Sequence, residues 1–207
     1  MMENFYVQTV GSIPANKHSE AIAMLQELAE ESKAAGSERA SYGTIMTGNN
    51  AGSIIFQQFF SSLDGFANVM DAFATSSTYA KVISTGLKVT TRNIARFCEV
   101  PFTAPSNPQR KFLVLTRGKA SVSQAEIIDL MVQSAPIFSE NGAQTLRFAK
   151  LMTGNNAGDF LTGVTYPSMA AIEATYDALG ASPVVAKVYA ALDVNLRTII
   201  RIQGAAT

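Results

Sequence analysis

Two short stretches repeat a charged pattern, Arg92-x-Ile94-x-Arg96 and Arg197-x-Ile199-x-Arg201. Both fall in runs rich in β-formers, and in a strand the side chains at i, i+2 and i+4 share one face. Each set therefore presents two guanidinium groups together. A guanidinium binds carboxylate or phosphate through forked hydrogen bonds, so Arg92, Arg96, Arg197 and Arg201 are the candidate ligand-binding residues, for a small anionic or amphipathic organic molecule. In the second set the opposite face carries Leu196, Thr198, Ile200 and Ile202, suited to packing under helices, which turns the arginines away from the helices. Where two sheets face each other that direction is the interior, in which an unpaired guanidinium costs several kcal/mol, so these groups need anionic partners. The commoner fate of such groups is structural: pairing with Glu99, Asp193 or Asp159, or a place at strand ends in water.

Other residues carry less chemistry. Thr47-Gly48-Asn49-Asn50-Ala51-Gly52 and its copy at 153–158 could form an anion-holding nest of backbone N–H groups, but Gly and Asn in this order more often build a turn. Gly118-Lys119-Ala120-Ser121 lacks the earlier glycine of a phosphate loop, since Leu113 stands there. His18 is the single histidine, and it falls at a helix start with no ligand-spaced neighbour; a surface or capping role is expected. Cys98 reads as a small apolar filler. Tyr6, Tyr42, Tyr166 and Tyr176 could orient an aromatic substrate, although one tyrosine per element is ordinary core usage. No metal site and no cofactor are expected.

The elements that must position these residues come in two similar sets. Phe5–Val10 and Phe112–Arg117 read as first strands, each followed by a glycine. Ile22, Leu25, Leu28 and Ala29 fall on a helical stripe, and Ser123-x-x-Glu126 makes a capping box ahead of Ile127, Ile128, Met131 and Val132. Tyr42–Met46 and Ser53–Phe60 flank the glycine-asparagine turn as a hairpin. Helices then open at Ser62 and Ser168, short helices follow over Tyr79–Ile83 and Val184–Leu192, and closing strands span Val89–Val100 and Val194–Ile202.

Met46–Gly52 recurs letter for letter as Met152–Gly158, an offset of 106 residues that shrinks to 105 at the arginine pairs. A unit of about a hundred residues is too long for a solenoid repeat, so the chain reads as a tandem duplication. Residues 101–110 hold three prolines and no periodicity and are the expected linker between one module at 1–100 and another at 111–207.

The order strand-helix-strand-strand-helix-strand is the split β-α-β pattern of ferredoxin-like domains. Helices cover one sheet face, and a duplicated neighbour is expected to cover the other. On these grounds the chain resembles the dimeric α+β barrel superfamily in tandem-fused form, and within it NIPSNAP-type and related uncharacterised domains. The fold class implied is α+β, two ferredoxin-like repeats packed as an intramolecular pseudo-dimeric barrel. The resemblance also implies a ligand between sheet and helices or within the barrel. Haem-handling members need a histidine near the iron and often a tryptophan; this chain has His18 alone and no tryptophan.

Composition narrows the functions. Sixteen Lys+Arg balance sixteen Asp+Glu, and charged residues make up only 15%, so no net field draws nucleic acid or an anionic membrane. No apolar run is long enough to span a bilayer. The lone cysteine and an amino terminus that reads as a strand, not a signal peptide, point to the cytoplasm. Three functions compete: a small-molecule-binding protein, a cofactor-independent monooxygenase or isomerase, and an interaction module. Binding leads, because the enzyme reading lacks an acid–base constellation. Whether the chain is an enzyme stays open, as does self-association into a homodimer.

Overall fold

A computed structural model describes residues 3–207. Two runs of seven elements follow one another in the same order. The first comprises β1 (Phe5–Ser12), α1 (His18–Ala35), β2 (Arg39–Ile45), β3 (Ile54–Phe60), α2 (Leu63–Thr75), α3 (Ser77–Ser84) and β4 (Lys88–Cys98). The second comprises β5 (Phe112–Ala120), α4 (Gln124–Glu140), β6 (Thr145–Leu151), β7 (Phe160–Tyr166), α5 (Met169–Gly180), α6 (Pro183–Ala191) and β8 (Leu192–Ala206). Hydrogen bonding orders the strands β4-β1-β3-β2 in the first run and β8-β5-β7-β6 in the second.

The chain divides into two compact units. The first runs through Arg96 and includes Met152–Asn155 and Arg201–Thr207; the second holds Phe97–Leu151 and Asn156–Ile200. In the first, β1 lies between β3 and β4, antiparallel to both, and β2 flanks β3. Helices pack on one face of this sheet, where Leu25 and Leu28 of α1, Phe73 of α2 and Val82 of α3 join Val7, Phe56 and Phe60 in one buried cluster. Every residue of β3 is buried, on both faces. In the second unit β5 pairs with β7, and β7 with β6, again antiparallel. Ile127, Met131 and Phe138 of α4 close the corresponding cluster with Val114, Val164 and Tyr166.

Local chemistry explains the boundaries. Side-chain oxygens of Ser62, Ser76, Ser123, Ser168 and Ser182 each accept a hydrogen bond from the backbone N–H three residues on, supplying the acceptor that a helix's first turn lacks. Pro183 opens α6, where its missing N–H leaves no bond unmade. The expected hairpin turns form, and the glycine at 154 is required by its φ of +86°; a Cβ there would also displace the end of the Asn93 side chain. Thr153 beside it accepts a hydrogen bond from Ile94 N–H at 2.9 Å. These contacts give the turn a structural role.

The pairing of β1 with β4 contains one irregularity. The register of β1 shifts between Val10 and Gly11, so that Val10 faces Thr91 while Gly11 faces Val89. The extra residue is a bulge, and it breaks the two-residue alternation of β4.

Candidate functional site

Each unit contains a cavity between its sheet and its helices, and the two are lined by corresponding positions. In the second unit the cavity measures about 60 Å³, with Val114 and Val164 from the sheet, Met131 and Ser134 from α4, Leu179 from α5 and Val188 from α6 among its walls. In the first unit it measures about 40 Å³, with Phe56 and Gln58 from the sheet, Leu25 and Leu28 from α1, Phe73 from α2 and Val82 from α3. Arg197 lines the first of these and Arg92 the second.

This placement corrects the expected orientation of the arginines. Arg92 donates from Nε to Thr9 Oγ1 at 3.0 Å and points one terminal nitrogen at Met70 Sδ of α2, 3.2 Å away. Arg197 lies against Tyr176 of α5 and Tyr189 of α6. Both therefore face the helices. The physical reason is twofold. Period-two alternation says which residues share a face but not which face is covered by helices, and both faces of these strands carry apolar residues: Thr198 and Ile200 are buried just as Ile199 packs on the core. In addition, Leu87, Val89 and Arg92 line one cavity, and Leu192, Val194 and Arg197 the other. In β4 the spacing of two then three follows from the bulge, which brings Arg92 onto the face of Leu87 and Val89.

The four arginines do not form one cluster. Arg96 is exposed, its guanidinium carbon 5.9 Å from the centre of the Phe5 ring. Arg201 is exposed in the part of β8 that belongs to the first unit, where its carbonyl lies so close to Gly43 that a Cβ there would collide. Among the described residues none of the four makes a salt bridge. Asp159 instead lies 3.6 Å from Arg117 and accepts from Asn195 at 2.9 Å. The four arginines thus lack carboxylate partners among the described residues, and Arg96, Arg197 and Arg201 are exposed, in keeping with the alternative of a place in water.

Arg197 is the most developed of the four. Its Nε donates to Thr116 Oγ1 at 3.4 Å and a terminal nitrogen to the Tyr189 hydroxyl at 3.3 Å. Its guanidinium carbon stands 5.0 Å from the Tyr176 ring centre and 5.7 Å from that of Tyr189, within range of cation–π attraction. All these partners are neutral, and a guanidinium has five N–H donors, so charge and donors remain for an anion. Burial raises the Tyr176 pKa, against the opposing pull of the Arg197 charge and of a hydrogen bond to Thr116. Burial raises that of Tyr166 as well, more than its hydrogen bond with Thr175 lowers it. Both phenols stay protonated at neutral pH and act as hydrogen-bonding groups, not as bases. No Asp, Glu, His, Lys or Cys lines either cavity.

His18 opens α1 and is hydrogen-bonded through Nε2 to Thr44 Oγ1 at 3.0 Å, outside both cavities. Cys98 packs against the core of the second unit. Among the described residues no group of three potential metal ligands occurs, and no helix is long and apolar enough to cross a membrane. Of the tyrosines weighed from sequence, Tyr166 and Tyr176 line the second unit's cavity, whereas Tyr6 bonds to Gln57 elsewhere. Thr116, Tyr189 and Gln58 gave no local signal; only their places opposite the repeat's counterparts could have drawn attention to them.

Known structures share this fold at low identity. A candidate monooxygenase from Fusobacterium nucleatum superposes with a TM-score of 0.70 at 8% identity, covering 100% of this chain and 96% of its own. Chlorite dismutase from Candidatus Nitrospira defluvii gives 0.65 at 10%, covering 99% and 93%. A haem-binding protein from Thermus thermophilus gives 0.60 at 13%, covering 98% and 92%. These are dimeric α+β barrel proteins. The residues here do not fit a histidine-ligated haem, since the single histidine stands outside both cavities and is bonded to Thr44. No curated protein matches the sequence. The family described as a domain of unknown function, DUF6854, matches residues 3–97 and again 110–202, and the chain belongs to that family.

Proposed function

We propose that this protein binds a small amphipathic organic anion in the cavity of its second unit, with the apolar body among Val114, Val164 and Leu179 and the anionic group on Arg197. The observation that carries this reading is a guanidinium with no carboxylate partner, held at an apolar cavity by Thr116, Tyr176 and Tyr189. Such a pairing of apolar walls and a few convergent polar groups is usual for small-molecule sites. Fold relatives named as a haem-binding protein and a candidate monooxygenase are compatible with ligand binding in this fold. Catalysis as a cofactor-independent monooxygenase or isomerase has less support, because neither cavity brings a side chain that titrates near neutrality.

The same proposal takes the chain as two duplicated ferredoxin-like repeats, 1–100 and 111–207, joined by the proline-rich stretch 101–110. The narrower kinship with NIPSNAP-type domains and a cytoplasmic location belong to it too. A thermal-shift screen with benzoate, phenylacetate and phenyl phosphate tests the binding reading. A ligand at a hundredfold its Kd adds about 2.7 kcal/mol, or roughly 5–11 °C for a chain of this size. The expected result is a shift lost in Arg197→Gln. A shift that survives unchanged in that variant removes Arg197 from the site.

A further inference from the structure

The cavity of the first unit differs from its counterpart in kind as well as in volume. Gln58 lines it and is 2% exposed. Its amide nitrogen donates to Ser32 Oγ at 2.7 Å, and Ser32 in turn is hydrogen-bonded to Ser37 Oγ at 3.0 Å. The amide oxygen has no hydrogen-bond partner among the described residues. Among the described residues the buried side-chain polar atom without a partner is Thr78 Oγ1, not this oxygen, so the Gln58 carbonyl keeps access to solvent and has lone pairs left to accept from a donor in the cavity. At the other end of the same cavity Arg92, half-buried, holds Thr9 and Met70 and has no carboxylate.

Strand register places the two groups on one face. Thr9 stands opposite both Phe56 of β3 and Arg92 of β4, and Gln58 follows Phe56 by two residues. At ~3.4 Å rise per residue and ~4.8 Å between strands, the Cα atoms of Arg92 and Gln58 are roughly 12 Å apart, and both side chains reach into the gap. The cavity, about 40 Å³, admits on the order of three water-sized groups at ~10–15 Å³ each. In the second unit the three polar positions are occupied together by apolar residues, Val164 for Gln58, Phe138 for Ser32 and Ala143 for Ser37.

We propose that the first unit's cavity is a separate binding site for short hydroxy acids, the carboxylate held by Arg92 and the hydroxyl donating to the amide oxygen of Gln58. This site stands apart from the one on Arg197, and either can fail without the other. The test is NMR titration of the ¹⁵N-labelled full chain with lactate, with propionate, which lacks the hydroxyl, and with benzoate, reading the Gln58 side-chain amide and the Arg92 and Arg197 Nε–H signals. Lactate is expected to shift the Gln58 and Arg92 signals and to bind at least about tenfold tighter than propionate, since a site built to bond a hydroxyl rejects the analogue without one. Gln58→Met should erase that ratio, and Arg92→Gln should abolish both titrations. Equal affinity for lactate and propionate in the natural chain overturns the proposal without need of a variant. So does a ratio unchanged by Gln58→Met, or lactate shifts confined to Arg197. Benzoate reports on the second unit alone: its failure at Arg197 rejects that reading and leaves the lactate result standing.

Discussion

The two helix–sheet cavities occupy corresponding places in the two units, yet they are furnished differently. Both have a threonine-held arginine at one end, Arg92 on Thr9 and Arg197 on Thr116. In the first unit Phe56 fills the sheet side where the second has Thr162, and Leu28 stands where the second has Ser134. The second cavity is the larger, and its arginine is flanked by Tyr176 and Tyr189 where the first unit has Met70 and Ile83. A shared order of elements therefore frames two differently lined cavities. The arginine–threonine pair is common to both units, while the side chains around it differ.

The largest test of this comparison lies in the cores that frame the cavities. Phe60 and Tyr166 occupy matching, fully buried positions. Phe60→Ala and Tyr166→Ala should each cost about 3–5 kcal/mol in urea unfolding, and a much smaller loss at one site would mean that its unit can collapse around the gap. Arg197→Gln should weaken binding of an anionic ligand by about 1.5–3 kcal/mol, the worth of a charge-assisted hydrogen bond, while stability stays within about 0.5 kcal/mol; calorimetric titration beside thermal melting separates the two. Val164→Gln, which moves the first unit's polar group into the second, should destabilise by about 1–3 kcal/mol. Phe138 and Ala143 offer it no hydroxyl of the kind that Ser32 provides to Gln58, and a neutral result would show that the second cavity supplies a partner of its own.

Alkaline unfolding sharpens the comparison further. Burial raises the phenol pKa of Tyr166 in the second unit and of Tyr6 in the first above the ordinary 10.0. The unfolded chain therefore loses these protons first, and their contribution to stability, complete below about pH 10, falls as pH rises beyond it. Tyr166→Phe and Tyr6→Phe should each flatten the decline of stability above pH 10, and a slope unchanged by either would remove that residue as its source. The smallest effects are expected at Arg96 and Arg201, both exposed and outside the cavities. Changing either to Gln should alter stability by no more than about 0.5 kcal/mol and leave ligand affinity as it was.

Much of the fold was legible in the residues. Serine caps at 62, 123 and 168, the Gly–Asn turns and the helical stripe through Leu25 and Leu28 all mark elements that formed where the spacing places them. The site was legible only in part. The repeated arginines are a sound pointer to two cavity residues, but spacing alone turns them to the wrong face, and two of the four stand elsewhere. Tyr189 and Thr116 belong to the site through contacts with Arg197, eight and 81 residues distant in sequence, and no local pattern marks such pairs.

Sequence alone determined the order of elements, their caps and turns, and which arginines share a strand face, because these depend on interactions within a few residues. Tertiary structure decided which face the helices cover, where the bulge in β4 resets the alternation, and which polar side chains meet at each cavity. Those outcomes depend on packing between residues far apart in the chain, and on strands whose two faces are both apolar enough to be buried either way.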